Sequence, residues 1–386
     1  MTTAFIEQAL TALQEQGLKR RLRTVEGAQG PRITIDGKEY LNFCSNNYLG
    51  LADDPRLKEA AKDAIDRYGF GSGASRLVCG NASVHVALEE KIALFKGAER
   101  CLLFGSGYMA NVGIITSLFG RDDVIFSDRL NHASIVDGVL LSQAKFRRYP
   151  HNDMEALEVM LRETVDGRRK IIITDSVFSM DGDIAPLDRI VDLAGRYGCM
   201  VMVDEAHAFG VMGKSGKGLV EHFGLENKID IQMGTLSKAA GSFGAYVCGS
   251  ATLIEYLINT ARSFIYTTAL PPSTAAASLR AVEIIEHDTD RRQKLWENTR
   301  LVTDKLKRAG FNLSNTQTPI IPIIIGDAQA AVECSERLLA KGIFVSAIRP
   351  PTVPQNTARL RVTVMATHIR EDLETLVGSM EKLCRI

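Results

Sequence analysis

The chain has 386 residues with 46 basic and 46 acidic side chains, so its formal net charge is zero and gives no electrostatic case for a nucleic-acid or membrane-surface protein. Its 45% hydrophobic and 24% charged residues describe a folded globular protein rather than a disordered one, and the length predicts a large domain with a smaller companion. The seven cysteines are odd in number, scattered and never spaced C-x-x-C, which reads as reduced thiols in a cytoplasmic protein.

In chain order, residues 1–25 place Phe5, Ile6, Ala9, Leu10 and Leu13 at helical spacing and close on Lys19, Arg20, Arg21 and Arg23. That is an amphipathic helix and not a signal peptide; no apolar run is long enough to span a bilayer. From about 100 to 250, short apolar runs alternate with helical patterns. Cys101–Phe104, Lys170–Thr174, Met200–Val203 and Ile229–Met233 read as buried strands. Leu187, Ile190, Val191, Ala194 and Tyr197 mark a helix between Pro186 and Gly198. Such alternation implies βαβ units, a mostly parallel sheet, and ligands beyond the carboxyl ends of the strands. After about 280, Leu279–Leu306 reads as helical, Pro319–Ile325 as a strand, Ala330–Lys341 as a helix and Arg359–Val364 as a strand. The expected organisation is an N-terminal helical segment (1–40), a large cofactor-binding α/β domain (41–280) and a small C-terminal α+β domain (281–386).

Three strand ends carry chemistry. Cys101–Phe104 runs into Gly105-Ser106-Gly107-Tyr108, where backbone N–H groups at a helix start can hold a phosphate, or simply make a tight turn. Met200–Val203 ends in Asp204-Glu205-Ala206-His207. A buried Asp there calls for a cation such as a pyridinium nitrogen, unless it is a helix cap. His207 could meet a cofactor oxygen or be structural. The last strand leads to Thr235-Leu236-Ser237-Lys238. A desolvated lysine has a lowered pKa and attacks aldehydes; the bland alternative is a surface lysine in a small-residue loop. Together the three supply a phosphate cup, a pyridinium partner and a Schiff-base lysine, which are the needs of pyridoxal phosphate (PLP). Gly71–Arg76 resembles a nucleotide loop, but no P-loop Lys-Ser/Thr follows it, so it reads as a backbone feature bordering the site.

The order of motifs resembles the α-oxoamine synthases among the fold-type I, aspartate-aminotransferase-like PLP transferases, over nearly the whole chain. The matching stretches are Ser45–Gly50, Gly71–Arg76, Asn131–Ser134, Asp175–Asp183, Asp204–His207 and Thr235–Lys238, and Ile348–Pro354 is closest to the biotin-pathway branch. Glu205 departs from the Asp common there. The resemblance implies that Lys238 carries the cofactor, Asp204 meets the ring nitrogen, His132 stacks on the ring, and Ser179 and His207 touch it. It implies a phosphate cradle of Ser106, Gly107, Tyr108 and Thr235, joined by Thr268 from a second subunit of a homodimer. Asn47 and Arg361 would bind the amino-acid carboxylate, with Arg20 and Thr352 on the acyl side. No metal is implied. The implied reaction is decarboxylative condensation of L-alanine with pimeloyl-CoA, or a pimeloyl carrier-protein thioester, to 8-amino-7-oxononanoate, CO2 and free thiol. Glycine C-acetyltransferase chemistry, another α-oxoamine synthase, and an aminotransferase or lyase of the same fold remain alternatives.

Overall fold

The computed structural model describes residues 3–15, 18–19, 22–164 and 169–384. Its centre is a seven-stranded sheet ordered Arg100–Phe104, Ala245–Gly249, Ile231–Thr235, Met200–Asp204, Lys170–Asp175, Val124–Asp128, Lys145–Tyr149. Only Ala245–Gly249 runs antiparallel to its neighbours; the rest are parallel. Side chains alternate between two cores. Leu103, Phe126, Ile172 and Val203 enter one, while Leu102, Ile125, Ile171, Ile173 and Met202 enter the other. A sheet buried on both faces needs apolar residues at both parities of a strand, which is why these strands read as unbroken apolar runs. The helix Leu187–Tyr197 forms as expected, burying Leu187, Ile190, Leu193 and Ala194 and ending on Gly198 at φ 62°. Parallel strands bring Asp128, Asp175, Asp204 and Thr235 to one edge of the sheet, beside the turn after Phe104.

Three expectations need correction. The expected strand 229–233 lies at Ile231–Thr235, so Thr235 belongs to the strand itself. The 279–306 stretch is two helices, Pro272–His287 and Thr289–Arg308, broken at Asp288, whose side chain caps the second by accepting from Arg291 N. Among the described residues of the 1–40 segment, only Ala4–Glu15 is helical. Val25–Glu26, Arg32–Ile35 and Lys38–Asn42 are strands, and the last pairs in parallel with Ile343–Phe344.

A third core gathers Leu41 and Phe43 with Val302, Leu306, Ile321, Leu338, Leu360, Val362, Leu373 and Leu376. Packing therefore crosses the expected boundary at 40. Leu295 joins the large core and Val302 the small one, so the change of unit falls inside the helix Thr289–Arg308 and not at 280. Cys334 and Cys384 form a disulfide (Cα–Cα 5.6 Å) between two elements of this small core, contrary to the reading of all seven cysteines as free thiols. Among the described residues, no helix is long and apolar enough to cross a membrane.

Candidate active site

A cleft of about 360 Å³ opens where the polar strand ends meet the small unit. Gly107, Tyr108, His132, Ser179, Asp204, His207, Thr235, Lys238 and Arg361 all line it. The helix Gly107–Leu118 points its N-terminus into the cleft, with Ser106 Oγ capping Met109 N at 3.2 Å. A side chain at position 107 would put its Cβ 2.8 Å from Thr235 Cγ2, so glycine lets the helix start and the strand end close into a cradle. Free N–H groups and the positive end of the helix dipole suit a phosphate there. The Thr235 and Ser237 hydroxyls lie 3.3 Å apart at its rim.

Asp204 ends the Met200–Asp204 strand, buried, and its two oxygens accept from Ala206 N and Asn111 Nδ2, each at 2.9 Å. Asp175 stands beside it in register, and burial together with the Asp204 charge raises its carboxyl well above the usual range. The Lys238 side chain makes no hydrogen bond or ion pair among the described residues, while its carbonyl accepts from Gly241 N at 2.9 Å. Burial lowers its pKa, against the opposing pull of Asp204 and Asp175. His207 is driven well below the usual imidazole value, by burial first and then by Lys238; its Nδ1 lies 2.6 Å from Tyr48 Oη. His132 is likewise lowered by burial. Arg361 is buried at 7% exposure with no carboxylate partner. Its Nε, Nη1 and Nη2 donate to Ser179 O (2.6 Å), Thr363 Oγ1 (2.9 Å) and Asn46 Oδ1 (3.0 Å), leaving two N–H groups unassigned. A buried guanidinium with free N–H groups is suited to a carboxylate.

Other expected residues lie elsewhere. Asn47 does not line the cleft: its amide donates to Gln29 O and accepts from Ala52 N, while its neighbour Asn46 is the one at the cleft. Ser106 acts through its cap and its backbone, and the Tyr108 hydroxyl is taken by Asp137 Oδ2 at 2.7 Å. Thr268 is exposed and outside the cleft of its own chain. Thr352 lines an adjoining cleft with Asp181, Val353 and Arg359 that shares Ser179 and Met180 with the first. Arg20 lies outside the described residues. The Gly71–Arg76 loop packs on residues 269–270, through Ser72 Oγ to Leu270 O (2.7 Å) and Ala269 N to Ala74 O (2.9 Å). The Glu205 side chain turns away from the cleft to Lys96 and Val220 N, a reach that the longer side chain allows.

Five polar lining residues escaped the sequence reading: Asn46, Asn111, Ser134, Asp175 and Ser346. Asp175 carried a usable signal, because it ends an apolar strand just as Asp204 does. The residues fit PLP. The cradle is built for a phosphate, the buried Asp204 carboxylate suits a protonated ring nitrogen, and the Lys238 side chain, unpaired among the described residues, lines the same cleft.

The family model for "Aminotransferase class I and II" matches residues 38–380. The 8-amino-7-oxononanoate synthase of Geobacter sulfurreducens is 54% identical over 99% of this chain and 98% of that protein, and that of Symbiobacterium thermophilum 49% over 99% and 98%. Among solved structures, serine palmitoyltransferase from S. paucimobilis, solved with PLP–myriocin bound, superposes with a TM-score of 0.94 at 32% identity over 99% of this chain and 97% of that one. 8-Amino-7-oxononanoate synthase from Francisella tularensis gives 0.78 at 34% identity over 89% and 97%.

Proposed function

From the premise that this chain belongs to the class I and II aminotransferases, and within them to the 8-amino-7-oxononanoate synthases, we propose that it condenses L-alanine with a pimeloyl thioester. The products are 8-amino-7-oxononanoate, CO2 and the free thiol. The observation that carries this reading is the cleft itself: an unpaired Lys238, a buried Asp204 and an acid-free Arg361 around one helix-start cradle. When bound, PLP supplies an electrophilic carbon and a ring that draws off an electron pair. Gly107, Thr235 and Ser237 would hold its phosphate, Asp204 its ring nitrogen, His132 its face, and Lys238 Nζ its carbonyl carbon.

Arg361 binds the alanine carboxylate with its two remaining N–H groups and so fixes which face of the amino acid meets Lys238. Lys238 Nζ, whose pKa burial lowers, takes the alanine α-proton. His207 stays neutral and presents a ring nitrogen to the reacting group without adding charge. Thr352 and its cleft receive the acyl chain. The enzyme works as a cytoplasmic homodimer in which Thr268 reaches the partner's phosphate cradle.

Two measurements test this. Borohydride reduction of the PLP-loaded protein followed by peptide mapping should mark Lys238; a label on a different lysine removes the assignment. Free-thiol release should favour alanine with pimeloyl-CoA over glycine with acetyl-CoA. One methyl in an apolar pocket is worth about 1–3 kcal/mol, so alanine should lead glycine by roughly tens- to a few hundred-fold in kcat/KM. Glycine with acetyl-CoA as the better pair would overturn the substrate reading and leave the family standing.

A further inference from the structure

His132 is the N-cap of the helix Ala133–Ser142, and its Nδ1 accepts from the backbone N–H of Ser134 at 3.3 Å. A backbone N–H can only donate, so Nδ1 is unprotonated and the neutral ring carries its hydrogen on Nε2. Ser134 Oγ lies 2.8 Å from the same Nδ1, so the hydroxyl must donate to it and its oxygen is left to accept. Asn111 Nδ2 supplies that donor at 2.9 Å and gives its second N–H to Asp204 Oδ2, also at 2.9 Å. The reverse amide orientation would set Asn111 Oδ1 against the Asp204 carboxylate. The orientation is therefore forced, and it leaves Oδ1 buried without a partner.

We propose that Ser134 and Asn111 are positioning residues that hold His132 as an Nε2–H donor and tie it, through one unidirectional set of hydrogen bonds, to Asp204. The group on the ring face and the group at the ring nitrogen are then set together. Because both hydrogens of the amide point outward, the chain orients its ends and conducts no proton between them. Three separate elements meet in it: the helix 107–118, the helix 133–142 and the strand 200–204. Its bearing on PLP rests on the function proposed above; its bearing on His132 does not.

The experiment uses the full-length chain with 15N-labelled histidine, recorded by long-range proton–nitrogen correlation before and after addition of PLP. A His132→Gln spectrum assigns the signals. The wild type should show the Nε2–H pattern in both states. Ser134→Ala and Asn111→Ala should each yield mixed tautomers and weaken PLP binding by about three- to tenfold, the worth of one neutral hydrogen bond. Asn111→Ala should also shift the pH at which bound PLP changes its visible absorbance by about half a unit or more, a shift that lost packing does not produce. Circular dichroism reports folding, and if Asn111→Ala does not fold, Ser134→Ala decides. A wild-type His132 protonated on Nδ1, or variants with unchanged tautomer and unchanged PLP titration, overturns the inference. Failure of the wild type to bind PLP sinks the proposed function instead, because the cofactor-free spectrum answers for His132 alone.

Discussion

The histidines on adjoining loops at and beside the cleft are driven in opposite directions. In the cleft, His132 and His207 meet hydroxyls and the Lys238 amine, and both are held below the ordinary imidazole value. Just outside it, His151 places Nδ1 3.0 Å from Asp128 Oδ1 and Nε2 2.7 Å from Asp183 Oδ2, with its ring edge-on to Phe178 at 4.4 Å. Burial works against its charge, but hydrogen bonds to the two carboxylates and their charges lift it to about 10. Only an imidazolium can donate from both nitrogens at once. His151 thus rivets the loop that leads from Asp128 to His132 onto the loop that carries Ser179. The same side chain serves as a neutral reagent or a charged rivet according to its partners, while desolvation opposes the charge in both.

Removing the cation from the cleft tests one side of this contrast most severely. Lys238→Ala should lower thiol release by at least about 10²–10⁴-fold, the range for loss of a positioned proton acceptor. The same variant should raise the titration points of His132 and His207, because Lys238 opposes their protonation. Histidine titrations that do not move would reduce the contrast to burial alone.

The rivet is tested by stability. His151→Gln leaves Asp128 buried without its cation and should cost about 3–5 kcal/mol in urea unfolding. A folded value near 10 against the ordinary 6.5 means the charged ring stabilises fully below 6.5 and loses its effect as pH rises through 10. The gap between wild type and variant should therefore narrow across that window. A gap independent of pH would mean His151 is neutral. The smallest effect belongs to Tyr48→Phe, which removes the hydroxyl beside His207. One neutral hydrogen bond is worth about 0.5–1.5 kcal/mol, so kcat/KM should fall between about twofold and tenfold. A larger loss would give Tyr48 a part in the chemistry itself.

Four of the seven sheet strands were legible because burial on both faces writes an unbroken apolar run; Val124–Asp128 and Ala245–Gly249, equally buried, were passed over. Lys145–Tyr149 was also missed, because it is an edge strand with Lys145, Arg147 and Arg148 in it and so writes no apolar run. The hairpin at 32–42 did leave a sign: Asp36-Gly37, both at positive φ (50° and 72°), is a two-residue turn of the kind that joins antiparallel strands. Asp204, Thr235 and Lys238 were found at or just past strand ends, Asp175 at the end of a like strand was passed over, and Asn47 was read one residue away from Asn46. Asn111 and Ser134 stayed hidden, because their meaning lies in a network that only the assembled strand ends create. The Cys334–Cys384 bond escaped for a similar reason, since 50 residues separate the partners and only the packed small core brings them together.

The parallel pairing of Lys38–Asn42 with Ile343–Phe344 also sets a timetable. On the ribosome the first of these strands emerges with Leu41 and Phe43 bare, and the residues that will cover them are encoded near the other end of the message. The wait spans roughly 300 residues, or about 15–60 s at common elongation rates of about 5–20 residues per second. The large sheet can close in that interval, but Arg361 cannot dock on Ser179 and Asn46 until its own strand, Ala358–Thr363, has been made. The Arg361 corner of the cleft is thus among the last features of the molecule to exist. Nascent chains, with that apolar hairpin still uncovered, are the form most in need of a chaperone.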